Sequence, residues 1–381
     1  MSSPKLYSSQ NIDEMSWPTT SDGEYAKNFL TPLIKNGVQH YIDNIETEMR
    51  VLQIDDLALP VTINNTEYHN SYVCSPYGQY VSYAQESLTP VKSKLLKKLL
   101  SSLLWGLGKL LKLGKANKVI IVNNWMFSTN LYPKLTHEQI KKITEFLKIK
   151  FPEHAIIFRS IHTYGKENLF QSLERNHFEL IASRLVFFMD TENENIFTSR
   201  IFKSDLKLLR ESEYQTIYSD EIPESEIEKI TTLYRSVYLD RHSTLNPQLN
   251  RNFIKLALLN QVLSLKALKN NQGQIDVVVG YFHRNGIMTS PLLGYDVSQP
   301  QSNGLYRLAS TILTLEAKKQ QKLFHLSSGA AFYKKIRKAE GNIEYTAVYN
   351  RHLSIPRRFP WFVLKSICNS VGIMFMKKFD H

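Results

Sequence analysis

Residues 288–317 read MTSPLLGYDVSQPQSNGLYRLASTILTLEA, and the fold turns on how this stretch is parsed. An apolar strand over Met288–Leu293 leads into Gly294-Tyr295-Asp296. A polar loop with Pro300, Ser302 and Asn303 follows, and Gly304-Leu305-Tyr306-Arg307 opens a helix. The first N–H groups of a helix have no intrahelical acceptor, and the helix dipole favours negative charge there. A strand, a polar turn and a helix start therefore make an anion cradle. Taken locally, the same residues also describe an ordinary strand–loop–helix connection capped by Asn303, so the surrounding chain has to decide.

Working outward, Ile275–Tyr281 (IDVVVGY) is a strand that turns at Arg284-Asn285-Gly286 into Met288–Leu293, with Asn-Gly as the hairpin signal. Downstream, Leu323–Leu326 reads as a strand, Ser327–Arg337 as a loop entering a helix, and Ile343–Tyr349 as an alternating strand. Upstream, Ser204–Arg210, Ser225–Arg241 and Asn246–Lys269 read as three successive helices. Residues 51–190 alternate in the same way. They give strands at Val51–Asn64, Val119–Asn124, His154–Ile161 and Glu179–Met189, and helices from Thr136 to Lys150 and over Glu167–Asn176. The pattern predicts an α/β protein with mixed sheets. Its expected parts are an N-terminal arm (1–50), a first domain (51–195) carrying an inserted helix (91–115), a second domain (196–356) and a C-terminal tail (357–381).

The chain has 381 residues, 43% of them hydrophobic and 22% charged, a globular composition. Two distant cysteines, Cys74 and Cys368, exclude a disulfide framework and a CxxC metal site, and point to a reducing, cytoplasmic compartment. The histidines show no metal-ligand spacing, so no metal is expected. No P-loop, Rossmann, HExxH or GxSxG motif occurs. The N-terminus lacks the basic and apolar regions of a signal peptide, and no uninterrupted apolar run is long enough to span a bilayer.

The net charge of +12 is concentrated in two segments. Val91–Lys115 (VKSKLLKKLLSSLLWGLGKLLKLGK) holds seven lysines and no acid, and Arg351–Phe379 holds six basic residues and no acid, so the remainder is close to neutral. In the first, Leu96, Leu99, Leu100, Leu103, Leu107, Leu110 and Leu111 recur at helical spacing. Leu-rich basic helices fit an anionic membrane surface better than nucleic acid; no DNA partner is expected, and RNA recognition would call for polar and aromatic stacking surfaces. The tail reads as a second interfacial helix or one docked on the first domain.

The words MTSPLLGYD, NGLYRL and LSSGAAFYKKIRKAEGNIEYTAVYNRHL, with NSYVCSPYGQYVSYA and VNNWMFSTNLYP upstream, resemble a family of bacterial GNAT-like acyltransferases related to the FemABX aminoacyltransferases. The resemblance spans Leu57 to Pro356 and implies tandem GNAT-like domains. It further implies that the second domain receives the pyrophosphate of an acyl-CoA co-substrate around Asn303, Gly304, Leu305 and Tyr306, with Arg307 as a charge partner. The loop SQPQSNG departs from the denser Arg/Gln-Gly-Gly pattern of that family, which leaves an acyl carrier protein or another charged donor open. The expected chemistry is transfer of an acyl group to an amine, with Asp296 as base or Tyr295 and Tyr333 as proton relays. Asn123, Asn124, Ser128, Tyr72 and Arg159 are the candidate acceptor-binding residues. The basic apolar segments point to a lipid or lipid-forming acceptor and a peripheral position on the inner membrane face; bacterial ceramide synthases are similar GNAT-type enzymes. A tRNA-dependent, Fem-like aminoacyltransferase and a non-catalytic ligand-binding member are the alternatives.

Overall fold

The computed structural model describes residues 2–89, 91–164 and 169–378. The chain forms two compact units. Unit 1 comprises Met1–Arg184, Leu245–Pro247 and Ile343–Lys378; unit 2 comprises Leu185–Thr244 and Gln248–Asn342. The strands, in chain order, are β1 (Lys5–Tyr7), β2 (Glu48–Ile54), β3 (Leu57–Asn64), β4 (Val119–Val122), β5 (Ala155–Ile161), β6 (Glu179–Met189), β7 (Gln215–Tyr218), β8 (Ser264–Lys269), β9 (Ile275–Arg284), β10 (Ile287–Tyr295), β11 (Leu323–His325) and β12 (Glu340–Tyr349). The borders expected at 195 and 356 are not where the units divide. One division falls inside β6, after Arg184, and the chain returns to unit 1 at Ile343 because β12 pairs with β5.

Unit 1 orders its strands β1-β2-β3-β4-β5-β12, with residues 179–184 of β6 next to β12. The expected single strand Val51–Asn64 is a hairpin: Asp55 adopts φ +50° and turns β2 into β3. β3 and β4 are antiparallel, whereas β4 and β5 are parallel, joined by the helix His137–Lys150. That helix buries Ile140, Ile143 and Leu147 against Leu52, Val61, Ile120 and Phe158. Residues 1–50 are not a loose arm. β1 pairs with β2, and the helix Ser21–Asn36 buries Phe29, Leu30 and Leu33 before Gly37 ends it at φ +83°. The basic helix runs from Lys94 to Leu113, and Ser93 caps its start. Of the expected helix Glu167–Asn176, the described part is Leu169–Arg175; Glu167 and Asn168 lie outside the described residues, as do Phe379–His381 of the tail.

Unit 2 orders its strands β11-β10-β9-β8-β7, with residues 185–189 of β6 beside β11. β7 to β10 are antiparallel, and the β9–β10 turn is Asn285-Gly286, both at positive φ. β10 and β11 are parallel and flank the helix Leu305–Lys319 in sequence. Both units therefore contain antiparallel strands followed by strand–helix–parallel strand, and the α/β class with mixed sheets is as the sequence predicts. Asn246–Lys269 is not one helix. The helix is Arg251–Leu259, and Ser264–Lys269 is β8, where Leu265 and Ala267 lie on one face and Lys266, paired with the buried Glu316, on the other, the alternation of a strand. Ser225–Arg241 resolves into Ile227–Arg235 and a π-helical turn, Ser236–Asp240.

The helix Ile227–Arg235 crosses β10 at Gly294. A Cβ there would stand 2.6 Å from the Leu233 carbonyl carbon and 2.7 Å from the Tyr234 nitrogen, so the close approach requires glycine. Gly294→Val is expected to lower unfolding stability by about 1–3 kcal/mol in a denaturant titration, because backbone cannot give way as a flexible side chain can. An unchanged midpoint would mean that the helix is not seated on this residue.

Candidate functional site

In unit 2, β10 and β11 pair only over Ile287–Thr289 and Leu323–His325. The β9–β10 register shifts between Thr289 and Leu292, and the remainder of β10 pairs with β9 alone. Beyond Thr289, then, β10 has no partner strand on its β11 side among the described residues, and every second peptide group faces that opening. The chain leaves β10 through Asp296, forms a short 3-10 turn over Gln301–Asn303, and enters the helix Leu305–Lys319 through Gly304 at φ +63°. No side chain caps that helix, so the N–H groups of Leu305, Tyr306 and Arg307 remain directed at its N-terminal end. This is the geometry of an anion-binding helix start.

The equivalent region of unit 1 is closed. The last β4–β5 pair is Val122 with Phe158. Asn123 then turns at φ +58°, and the following loop closes on β5: the Asn130 amide bonds Ser160 Oγ, and the Tyr132 hydroxyl donates to the Arg159 carbonyl at 2.6 Å. Trp125 and Phe127 pack on Phe29 with ring centroids 5.6 and 5.7 Å away. The following helix has a complete capping box, in which Thr136 Oγ1 accepts from the Gln139 N–H and Gln139 Oε1 accepts from the Thr136 N–H.

The residues expected to act in unit 2 sort into three groups. Gly304, Leu305 and Tyr306 stand at the helix start, with Asn303 exposed on the turn before them. Tyr295, Tyr306 and Tyr333 form a chain of rings with centroids 6.2 and 4.9 Å apart, and Arg241 donates to the Tyr295 hydroxyl at 3.2 Å. Burial raises the pKa of Tyr306 and of Tyr333, so both hydroxyls stay protonated and can donate but not act as bases. Asp296 and Arg307 are occupied otherwise than expected. The Asp296 carboxylate accepts from Ser298 N (3.0 Å) and Oγ (2.6 Å) and faces Lys229 at 3.6 Å. The Ser298 hydrogen bonds, with help from Lys229, lower its pKa. It caps its own loop, and a carboxylate stabilised in that way is a weak general base. Arg307 pairs with the buried Asp205 at 2.7 Å and reaches Ser204 at 3.3 Å, so it holds the helix down instead of facing the helix start. Arg337 shares the same carboxylate at 2.7 Å and lies 3.5 Å above the Tyr333 ring.

In unit 1 the expected acceptor residues are close together but mostly satisfied internally. Asn123 donates to the Leu131 carbonyl and accepts from Trp125 Nε1; Asn124 donates to Thr62 Oγ1 and the Val73 carbonyl. Both are fully buried, which removes them as free contacts for a ligand. The Ser128 carbonyl accepts from Arg184 at 2.6 Å. Arg159 lies 5.8 Å from the centre of the Tyr72 ring. Sequence reasoning misses Asp205, which looks like any surface charge of an amphipathic helix, and Lys334, which is buried and donates to the carbonyls of Leu326, Ser327 and Ser328.

The two basic segments also take a definite form. Leu107 and Leu111 of the helix Lys94–Leu113 are buried with Trp361 and Leu364 of the tail helix that begins at Ile355. Gly114 abuts Pro360, and Arg357 donates to the Gly114 carbonyl at 2.7 Å. Their outer faces are bare: Leu95 is 80% exposed, Leu113 81% and Ile355 78%, and Leu99, Leu103, Trp105, Phe359, Phe362 and Met374 are exposed with them. The predicted seven-leucine stripe therefore divides, one end in the core and the other in solvent. Ile355–Lys377 is long and apolar enough to cross a membrane by length and composition, contrary to the sequence reading, yet it anchors Trp361 and Leu364 in the core of unit 1.

No family model matches this chain, and no curated protein matches it in sequence. Solved structures similar to it include the C-terminal domain of a putative lysylphosphatidylglycerol synthetase from Agrobacterium fabrum. That likeness has 10% identity and TM-score 0.45, and covers 61% of this chain and 78% of that one. FemX is similar at 8% identity and TM-score 0.44, over 57% of this chain and 78% of the other. A tandem GNAT protein from the clavulanic acid biosynthesis pathway matches at 7% identity and TM-score 0.39, over 91% of this chain and 98% of its own. Likenesses at this level carry no functional weight. What the strand order and pairing show is that both units carry antiparallel strands followed by a strand–helix–parallel strand arrangement.

Asp205→Asn leaves two arginines against a neutral amide. We expect it to destabilise unit 2 by about 3 kcal/mol in equilibrium unfolding, the scale for breaking a buried ion pair from one side. A change within a few tenths of a kcal/mol would show that Arg307 and Arg337 find other partners.

Proposed function

We propose that this chain is a GNAT-type N-acyltransferase that moves an acyl or aminoacyl group from an activated donor, with acyl-CoA as the first candidate, to an amine. The observation that carries this reading is the contrast between the two forks. Unit 1 plugs its fork and caps the helix, whereas unit 2 leaves the start of Leu305–Lys319 uncapped beside the unpaired edge of β10. A pyrophosphate is suited to the free N–H groups, and an extended thioester arm to strand-like hydrogen bonds along β10. The acceptor amine attacks the thioester carbonyl, the tetrahedral oxyanion collapses, and the C–S bond breaks. The attacking nitrogen sheds one proton and the leaving thiolate gains one; the Tyr306 and Tyr333 hydroxyls, kept protonated by burial, are the candidate relay, giving one proton to sulfur as they take one from nitrogen. With Asp296 stabilised as a carboxylate and Arg307 engaged by Asp205, neither carries a step.

Asn303→Asp tests the donor site. A carboxylate one residue before Gly304 caps the helix and repels an anionic donor. We expect calorimetric affinity for acyl-CoA to fall at least about tenfold while stability is unchanged or rises by up to about 1 kcal/mol. Equal affinity in the variant would place the donor elsewhere, and failure to release thiol from any acyl-CoA or acyl carrier in the presence of amines would remove the enzymatic reading.

In the same reading the acceptor is a lipid or lipid-forming amine. The support is the outer face of the helices Lys94–Leu113 and Ile355–Ile367: exposed leucines and aromatics beside lysines, with no acidic residue in either segment, suited to an anionic leaflet. Co-sedimentation with vesicles containing anionic lipid, lost at high salt, is the expected result. Joint charge reversal of Lys94, Lys97 and Lys98 should abolish it, and unaltered binding would sink the assignment.

A further inference from the structure

Unit 1 holds a buried cationic site whose charges do not balance. Arg184 and Glu344 form a closed pair: Nε and Nη2 donate to the two carboxylate oxygens at 2.7 and 3.0 Å, and Nη2 also reaches the Ser128 carbonyl and Thr129 Oγ1. Among the described residues no carboxylate forms an ion pair with Arg159; Glu344, already bonded to Arg184, acts on it only at longer range. Arg159 is the first residue after the last β4–β5 pair and is 3% exposed. Its one side-chain hydrogen bond is a 3.4 Å contact from Nη1 to Asn124 Oδ1, at the weak limit of the geometry. Its Nε is buried with no hydrogen-bond partner among the described residues. Tyr72 forms one side of the site, with Tyr83 set edge-on against it at 5.3 Å. Burial works against the Arg159 charge, yet a guanidinium remains charged inside proteins. A buried cation without a counter-charge is costly, and a ligand that supplies the counter-charge recovers that cost.

We propose that Arg159 anchors a carboxylate-binding site within unit 1 and that its ligand is a small monocarboxylate, tested here with the α-amino acids. Two arginines against one glutamate leave a single positive charge, which a monocarboxylate neutralises; a phosphate monoester, close to two negative charges, would overcharge it. The edge of the guanidinium that carries the unpartnered Nε is the one that takes a planar carboxylate side-on through two parallel hydrogen bonds. The site stands on the geometry of unit 1 and does not depend on the transfer reaction proposed above.

The test uses the full-length protein and thermal-shift and calorimetric titration with the proteinogenic amino acids, their decarboxylated amines and inorganic phosphate. At least one amino acid is expected to raise the Tm, while its decarboxylated amine and phosphate do not. Arg159→Met, which removes an uncompensated charge, is expected to keep or raise the ligand-free Tm and to weaken amino acid binding about 30-fold or more. No response to any amino acid, an equal response to the decarboxylated amine or to phosphate, or equal affinity in Arg159→Met overturns the site. The comparison of amino acid with amine in the unaltered protein decides the matter even if the variant fails to fold. Thiol release separates the two claims. Arg159-dependent binding without release from any donor leaves the site and removes the transferase; release without Arg159-dependent binding leaves the transferase and removes the site.

Discussion

Parallel strands joined through a helix diverge once their shared register ends, and this constraint organises both units. β10 and β11 share three paired positions, and β4 and β5 share four. Beyond those pairs, backbone donors and acceptors lie at the mouth of a fork and have to be satisfied by something. Unit 1 satisfies them with its own chain, turning at Asn123 and bringing Asn130 and Tyr132 onto Ser160 and Arg159 of β5. Unit 2 holds its loop outside the fork and begins the next helix with glycine in place of a capping side chain. The same arrangement is thus closed by its own chain in one unit and left open in the other. This difference, and no motif, is what distinguishes the two units chemically.

Much of this is legible in the sequence wherever local pattern suffices. Asn285-Gly286 marks its hairpin, Thr136 marks its helix, and the stretch around Gly304 marks a helix start. What local pattern misses depends on partners remote in sequence or hidden by the fold. β8 sits in a run of leucine and lysine that suits a helix equally well, and only pairing with β7 and β9 fixes it as a strand. Arg307 beside an anion-binding turn looks like a phosphate ligand until Asp205, about a hundred positions earlier, takes its charge. Asp296 looks like a base until Ser298, two residues on, holds its carboxylate ionised. In each case the residue type is plain and its neighbour in space decides its role.

The buried charges share a physical logic. Asp205 joins two arginines from separate elements, Lys334 gathers three consecutive carbonyls, and Glu344 holds Arg184. Each fixes a segment that hydrophobic packing alone would leave free to slide, since charged hydrogen bonds have direction and apolar contacts do not. Against that background Arg159 stands apart as a cation surrounded by tyrosine and asparagine.

The route of β12 has a consequence for how the chain is made. β12 lies between β5 and β6 in strand order, yet it is synthesised after almost all of unit 2 has left the ribosome. The N-terminal unit therefore cannot complete its sheet during translation of its own first half. It has to wait, with the edge of β5 unpaired, until most of the chain exists. Long-range pairing of this kind is slow and exposes strand edges to wrong partners. The protein is therefore assembled as a whole, and severing it at an apparent domain border would leave a fragment without the strand that closes its sheet.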